Sequence, residues 1–220
     1  MIPSPLRSAL FGAVLALASP IGWLPLESAQ ATSFAPMTTE QLVDASDFVI
    51  RGTVEQVWTE LDEREHVWTR ARITVAHALK GADAPAEVIV DSLGGSYGAY
   101  ETTLPGHAVF SAGEEVVAFL SRTDSGRLVP VAKFLGKYTV RRAPGEHTSY
   151  VMRWQPSDHP VAPYDARFIP HARPEDRVAL DDLLAAIETR VQAGWDGKPI
   201  PGIATQRLIE LNAAERRIPR

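Results

Sequence analysis

The sequence predicts a mainly β fold, an antiparallel barrel or sandwich, with a short helix before the strands and α-helices after them. Apolar and polar residues alternate with a period of two over most of the chain, and Pro, Gly, Asp and Ser recur between the alternating segments. A helical period of 3.6 residues is present only towards the ends of this region. Because no amphipathic helix separates successive strands, a parallel sheet with crossover helices is not expected.

Composition excludes several classes of protein. The chain of 220 residues is 45% hydrophobic and 22% charged, which is an ordinary balance for a globular domain. Its net charge of −5 disfavours a general binder of nucleic acid or of anionic membranes, because no basic excess exists to neutralise phosphates. The absence of cysteine excludes disulfides, thiolate zinc sites, iron–sulfur clusters and a cysteine nucleophile.

The segment 1–31 has the features of a secretory signal peptide. Arg7 precedes an apolar run over residues 8–26, and Ala29-Gln30-Ala31 matches the small-residue site at which such peptides are cut. A membrane anchor is the alternative, but Pro20 and Pro25 leave fewer than the ~20 clean apolar residues that a membrane span needs. We therefore expect cleavage after Ala31, a secreted or periplasmic mature protein, and no membrane span in that protein.

The body of the chain is predicted to form strands joined by turns. In the first strand, residues 47–58, Gly52 lies on the inward side, where a missing side chain lets a strand bend sharply, as at a barrel corner. In the second strand, residues 66–79, His77 has inward parity and is expected to be packed or hydrogen-bonded. Residues 114–120 are apolar on both parities, as in a central strand covered on both faces. The other inward residues of the first two strands are Phe48, Ile50, Val54 and Trp58, then Val67, Ala71, Ile73, Val75 and Leu79.

Helical signals lie on both sides of the strands. Thr38 and Gln41 fit a capping box before a short helix. Residues 155–174 are rich in proline, which suits an extended strap, and Pro174 stands where a helix with an apolar stripe over 180–191 is expected to begin. A weaker helical pattern covers 205–217. The predicted organisation is a signal peptide (1–31), a β-barrel domain (32–155), a Pro-rich strap (156–173) and a C-terminal helical segment (174–220).

One segment matches a catalytic motif. Gly94-Gly95-Ser96-Tyr97-Gly98 fits G-x-S-x-G, the nucleophile elbow of serine hydrolases, which needs a strand before the serine and a helix directly behind it. Residues 99–106 are too short and too rich in β-formers for that helix. Asp158 or Asp165 with His171 would complete a triad from the Pro-rich strap. We expect a flexible glycine loop joining strands, and a serine-type hydrolase using Ser96 stays an alternative.

No cofactor or metal site is predicted. The histidines show none of the spacings that hold zinc, and the calcium-loop, dinucleotide and P-loop patterns are missing from the sequence. Asp44 is expected at a helix end or on a solvated face. The sequence therefore offers candidates for binding and few for catalysis.

Trp68 and the glycine loop are the candidate binding residues. Trp68 faces outward by parity, beside Arg70 and Arg72, which is typical of a contact patch for a carbohydrate or a protein. Gly94, Gly95 and Tyr97 belong to a loop, and loops on a rigid scaffold commonly carry recognition.

A longer series of segments resembles a known family. In order these segments are LVDASDFVIRGTV (42–54), TVAHALKG (74–81), Gly94-Gly95, FSAGEEVVAFL (110–120) and LGKYTV (135–140). Over most of Thr38 to Val140 they resemble a family of uncharacterised secreted bacterial proteins. The opening Ser-Asp followed by a Val-Ile-Arg strand is also similar to the netrin-like domains of tissue metalloproteinase inhibitors, whose fold is a five-stranded OB barrel. The resemblance implies an OB-like barrel.

The resemblance implies less about function. Those inhibitors place a disulfide-bonded N-terminal cysteine at the protease metal, and this chain after cleavage would begin Thr32-Ser33-Phe34 with no cysteine. We therefore expect a secreted, non-catalytic binding module for a protein partner, with no cofactor. Its contact residues are Gly94, Gly95, Tyr97 and Trp68. An inhibitor of an exported metalloprotease stays a further alternative beside the hydrolase.

Overall fold

A mixed sheet of eight strands makes up most of the structure, which confirms the predicted mainly β fold. The computed structural model describes residues 37–102, 106–142, 145, 148–153 and 177–215, all within the unit Thr32–Arg220. The strands are β1 (Phe48–Leu61), β2 (Val67–Lys80), β3 (Glu87–Leu93), β4 (Gly95–Tyr97), β5 (Tyr100–Thr102), β6 (Glu115–Arg122), β7 (Leu128–Pro130), β8 (Lys137–Arg142), β9 (Ser149–Met152) and β10 (Val178–Ala179). The helices are α1 (Thr39–Asp44), α2 (Leu180–Ala193) and α3 (Thr205–Glu215), with a short 3-10 helix at Lys133–Gly136.

The strand order in the large sheet is β1-β2-β3-β7-β6-β8-β9-β10, and β1 also pairs with β6. The pairings β1–β2, β2–β3, β3–β7, β7–β6 and β6–β1 therefore return to the strand from which they start. The β3–β7 pair, Val90 opposite Leu128, is parallel, so the expectation of a wholly antiparallel sheet is wrong at this pair. The reason is geometric: in a cycle with an odd number of strands, neighbours cannot all alternate in direction.

Two apolar clusters lie on opposite faces of β1 and β6. Val49 and Phe119 pack in the cluster that also holds the helices, whereas Ile50 and Ala118 pack in the cluster that includes β2 and β3. Because alternate residues of both strands are buried on both sides, β6 is apolar on both parities, as predicted for residues 114–120. The helical cluster includes Leu42, Leu183, Ile187 and Leu208. The other cluster includes Phe48, Val54, Ala71, Ile73, Val88, Val90, Phe110, Val116 and Leu120.

Gly52 lies where β1 pairs with β6 on one edge and with β2 on the other. It is buried, and a Cβ added there would lie 2.3 Å from the carbonyl oxygen of Thr74 and 2.8 Å from Cγ2 of Ile73. The β1–β2 register shifts beside it, since Arg51 faces His77 but Gly52 faces Val75. The absence of a side chain therefore permits a close approach of β2 beside this register shift, at the position where the sequence predicts a bend.

Two such register shifts reverse the parity that a simple alternation predicts. Glu55 is an extra residue in β1, so Val57 rather than Trp58 packs against the core, and Trp58 lies on the outer face below the Arg72 guanidinium. The prediction that Trp58 points inward is wrong for this reason. In β2 the extra residue Ala76 has the same effect, so His77 is exposed and the inward, packed position expected for it is wrong.

A capping signal marks the start of α1 but not the start of α2. The Thr38 side chain accepts a hydrogen bond from the Gln41 amide and the Gln41 side chain accepts one from Thr38, so the predicted capping box is present. The helix α2 begins at Leu180 and not at Pro174, because the preceding Val178 and Ala179 form β10, which pairs with β9. Asp181 and Asp182 occupy the first turn of α2 instead.

Asp44 joins α1 to α2. Its oxygens accept hydrogen bonds from Nε and Nη2 of Arg190 at 2.9 and 2.6 Å, and its carbonyl accepts one from Asn212 of α3. Asp44 is the last residue of α1 and its carboxylate is buried, so of the two expected positions the structure shows the helix end and not the solvated face. The bidentate contact with Asp44 also raises the pKa of Arg190 above its usual value.

Two of the predicted segments lie outside the described residues: the signal peptide 1–31 and the strap 156–173. The described part of the C-terminal segment contributes β10 to the large sheet and α2 to the helical cluster. None of the three helices in the described residues has the length and apolar content that a membrane crossing requires.

Replacing Gly52 by alanine should destabilise the fold. The added methyl group meets a backbone carbonyl that cannot move without separating β1 from β2, so we expect Gly52→Ala to lower the free energy of unfolding by about 1–3 kcal/mol. Urea denaturation followed by far-UV circular dichroism measures this loss. The control is Thr53→Ala on the adjacent, half-buried position, for which strand propensity alone costs up to about 1 kcal/mol. Equal losses in the two variants would contradict the proposed role of Gly52.

Candidate functional site

A tryptophan and an arginine project from the outer side of β2. Val67, Ala71 and Ile73 are buried, so the alternating positions Trp68 and Arg70 lie on the opposite face, where both are half-buried. Because the β2–β3 register places Arg70 opposite Asp91, the arginine meets a carboxylate on the neighbouring strand.

Asp91 links two guanidinium groups. Its Oδ1 lies 3.1 Å from Nε of Arg70 and its Oδ2 lies 3.1 Å from Nη1 of Arg127. The Arg70 contact is an ion pair without the alignment of a hydrogen bond, whereas Arg127 donates a hydrogen bond. A second carboxylate, Glu60, lies 2.9 Å from Nη1 of Arg70. Since the Asp91 side chain is only 6% exposed, these cations are what allow it to be buried while charged.

The turn between β6 and β7 positions Arg127. The Gly126 amide donates to the Thr123 carbonyl and the Arg127 amide donates to the Thr123 hydroxyl, with Gly126 in the left-handed region at φ 81°. This turn places the Arg127 guanidinium 4.6 Å from the centre of the Trp68 ring, in a cation–π contact.

Trp68 is held from its other end by the turn between β1 and β2. Its indole Nε1 donates to Oδ2 of Asp62 at 3.0 Å, while Oδ1 of Asp62 accepts the amides of Arg64 and His66. The hydrogen bond from Trp68, followed by the one from the His66 amide, holds the pKa of Asp62 well below its usual range. Trp68 is therefore fixed between an anionic acceptor and a stacked cation.

The ion-paired side chains of Arg70, Asp91 and Arg127 border an open cleft of about 420 Å³ that lies over the β3–β7 pair. We call it the β3–β7 cleft. Three guanidinium groups and one carboxylate line it, and Ile89 on β3 adds an apolar surface that is 41% exposed. Such a lining suits recognition of an anionic group beside an apolar one. The lining residues are Arg70, Ile89, Asp91, Arg122, Ser125, Gly126, Arg127 and Leu128.

The predicted glycine loop is a hairpin of two short strands. The strand β4 pairs with β5, so the expectation of a flexible loop at residues 94–98 is wrong. The reason is that Gly95 fits against β1 and β2: a Cβ there would lie 2.4 Å from Oγ1 of Thr69, and the carbonyl of Gly94 accepts a hydrogen bond from that hydroxyl. Tyr97 and Tyr100 face each other across the hairpin and are 44% and 52% exposed.

The four predicted binding residues thus occupy two places. Trp68 borders Arg127 of the β3–β7 cleft, whereas Gly94, Gly95 and Tyr97 belong to the β4–β5 hairpin and its entry. Trp68 is half-buried below Arg127, which makes it a supporting surface more than an exposed patch.

Ser96 lies in β4 opposite Glu101, and its carbonyl accepts a hydrogen bond from Thr59. A nucleophile elbow places the serine between a strand and a helix, and the residues that follow Ser96 form the return strand β5 instead. The proposed triad partners Asp158, Asp165 and His171 lie outside the described residues.

The described residues contain no group of three or more His, Cys, Asp or Glu side chains arranged to hold a metal ion. The chain matches no protein-family model, and comparison with curated proteins finds no relative. What the site does is therefore argued from its own geometry and chemistry.

Sequence reasoning missed Asp91 and Arg127. Asp91 interrupts an otherwise apolar strand after Val88-Ile89-Val90, and that interruption is the one local signal for a functional position. Its pairing with Arg70 depends on strand register and its pairing with Arg127 depends on the β3–β7 contact. Neither can be read from spacing along the chain.

The Asp62 carboxylate should stay ionised to unusually low pH. Because its pKa is depressed in the folded state, its hold on Trp68 is complete above the ordinary aspartate value of 3.8 and is lost only as pH falls through the lower folded value. The indole N–H resonance of Trp68, followed by NMR during acid titration, should shift well below pH 3.8. An Asp62→Asn variant should lack this transition, and a shift centred at or above pH 3.8 would contradict the assignment.

Proposed function

We propose that the protein is an exported, non-catalytic binding module that engages a protein partner through the β3–β7 cleft and the adjoining Trp68. The observation that carries the proposal is the arrangement of Trp68, Arg70 and Arg127, all fixed by Asp62 and Asp91. Trp and Arg are enriched at the centres of protein interfaces, and side chains that are already held lose less entropy on binding.

A protein partner is favoured over nucleic acid by the distribution of charge. Glu60, Asp62 and Asp91 lie among the arginines, so the described residues of this face form no uninterrupted basic track. The whole chain carries a net charge of −5, which repels a polyanion at long range. These charges favour a local contact with a protein that carries both positive and negative groups over binding to a nucleic acid.

We further propose that β1, β2, β3, β7 and β6 form an OB-like barrel. What supports it is the cycle of pairings among these strands, together with the apolar cluster that they share. OB folds bind ligands on the face of their second and third strands, between the loops that follow the first and fourth strands. The β3–β7 cleft has the corresponding place, between the β1–β2 and β6–β7 turns.

Export rests on the signal-peptide pattern of residues 1–31 and is part of the same proposal. The partner is then expected among periplasmic or extracellular proteins. If the captured partner is a metalloprotease, the module acts as an inhibitor of that protease or as its docking factor. Labelling of Ser96 by a fluorophosphonate probe would instead favour the hydrolase.

Site-specific photo-crosslinking tests the binding face. With p-benzoylphenylalanine in place of Ile89, we expect cross-linking to one stoichiometric partner in the periplasmic or culture fraction, because Ile89 is exposed within the β3–β7 cleft. The matched control carries the same group in place of Ile209 on α3, which is 47% exposed against 41% for Ile89. Cross-linking of the same proteins from both positions, or of none from position 89, would contradict the proposal.

A further inference from the structure

We propose that the β3–β7 cleft receives the side-chain carboxylate of an Asp or Glu residue of the partner, flanked by an apolar residue. This inference rests on the proposed function, since it names the chemistry by which a protein partner is recognised. It is carried by the hydrogen-bond donors that the cleft arginines keep unused, by the balance of charge in the cleft, and by Ile89.

Arg127 keeps one edge of its guanidinium available. Of its side-chain nitrogens, only Nη1 has an acceptor in the described part of the chain, namely Oδ2 of Asp91 at 3.1 Å. The Nε and Nη2 N–H groups lie side by side on the remaining edge, and such a pair matches the two oxygens of a carboxylate. Asp91 and the Trp68 ring fix the plane of this fork in advance.

Arg122 supplies a second cation with no carboxylate partner among the described residues. Its guanidinium lies 5.5 Å from the centre of the Phe48 ring, and its Nη1 donates to the carbonyl of Gly126 at 3.4 Å. These contacts place it at the same cleft without neutralising it. An incoming anion would therefore meet Arg122 and Arg127 together.

The charges that line the cleft are unbalanced. Arg70, Arg122 and Arg127 contribute three positive charges. Asp91 contributes one negative charge that is shared between Arg70 and Arg127, and Glu60 contributes a second one that is paired with Arg70. One carboxylate from outside would complete the pairing. The exposed Ile89 beside these cations favours a peptide over an oligonucleotide, because it offers apolar contact next to the anion site.

A pair of short peptides tests this inference on the whole mature protein. The probe is a fluorescein-labelled Gly-Glu-Leu-Glu-Gly peptide with a C-terminal amide, and its counterpart, also amidated, has Gln in place of both Glu residues and therefore lacks a peptide carboxylate. Fluorescence anisotropy at low salt should show binding of the Glu peptide and no binding of the Gln peptide. A labelled oligothymidylate serves as the polyanion control and should bind more weakly than the Glu peptide.

Arg127→Lys should weaken binding of the Glu peptide about tenfold, because lysine keeps the charge but lacks the fork. The matched control is Arg72→Lys, since Arg72 stacks on Trp58 as Arg127 stacks on Trp68 but lies outside the cleft. This control should leave the affinity unchanged. Arg122→Gln should also weaken binding of the Glu peptide. Arg122 is exposed and has no ion pair among the described residues, so this variant leaves the buried Asp91–Arg127 pair intact.

Several results would overturn the inference: equal binding of the Gln peptide, tighter binding of oligothymidylate, equal effects of Arg127→Lys and Arg72→Lys, or no binding of the Glu peptide at millimolar concentration. These results are separable from failure of the proposed function. A partner cross-linked at position 89 with no preference for the Glu peptide leaves the binding module standing and removes the carboxylate. A preference for the Glu peptide without any cross-linked partner leaves a cleft that binds carboxylates and removes the proposed protein partner.

Discussion

The strand β1 pairs with two neighbouring strands over the same residues, and the rest of the sheet depends on this constraint. It pairs with β2 from Val49 to Leu61 and with β6 from Phe48 to Thr53. Gly52 lies where the two pairings overlap, beside a register shift, and β2 packs directly against it. Where β1 lies between β2 and β6 it is buried on both faces, and its residues there contribute to both apolar clusters.

The pairing of β1 with β6 has a consequence for β3 and β7. Once β6 is beside β1, the hairpin that leads into β7 brings Leu128 opposite Val90 of β3. That contact places Arg127 beside Asp91, and a buried carboxylate is tolerated there because Arg70 and Arg127 both compensate its charge. The candidate site is thus a product of sheet topology, and its arginines are held in place by the same ion pairs that stabilise the β3–β7 contact.

Much of the fold could be predicted from local patterns in the sequence. The period-two alternation identifies β1 and β2, the double-sided apolar run identifies β6, and Thr38 with Gln41 identifies α1, because each depends on neighbouring residues only. The extra residues Glu55 in β1 and Ala76 in β2 leave no local trace, so a simple alternation assigns the side chains beyond them to the wrong face. The start of α2 depends on the pairing of β10 with β9, which local patterns do not show.

The site was predictable only in part, for the same reason. The alternation of apolar and polar residues along β2 is enough to predict that Trp68 faces outward. Its stacking with Arg127 and the pairing of Arg70 with Asp91 join residues that are distant in the chain, so they depend on register and topology. The β4–β5 hairpin was missed because its glycines suggest a loop, whereas Gly95 is required for close packing on Thr69.

The central claim is that the contact between β3 and β7 closes the pairing cycle and creates the cleft. The most direct measurement is a set of inter-strand nuclear Overhauser effects from isotope-labelled protein. We predict backbone contacts between Val90 and Leu128 in the pattern of a parallel pair, beside the antiparallel contacts between Arg70 and Asp91 of the β2–β3 pair. Absence of the Val90–Leu128 contacts in a protein that retains the β2–β3 contacts would contradict the account.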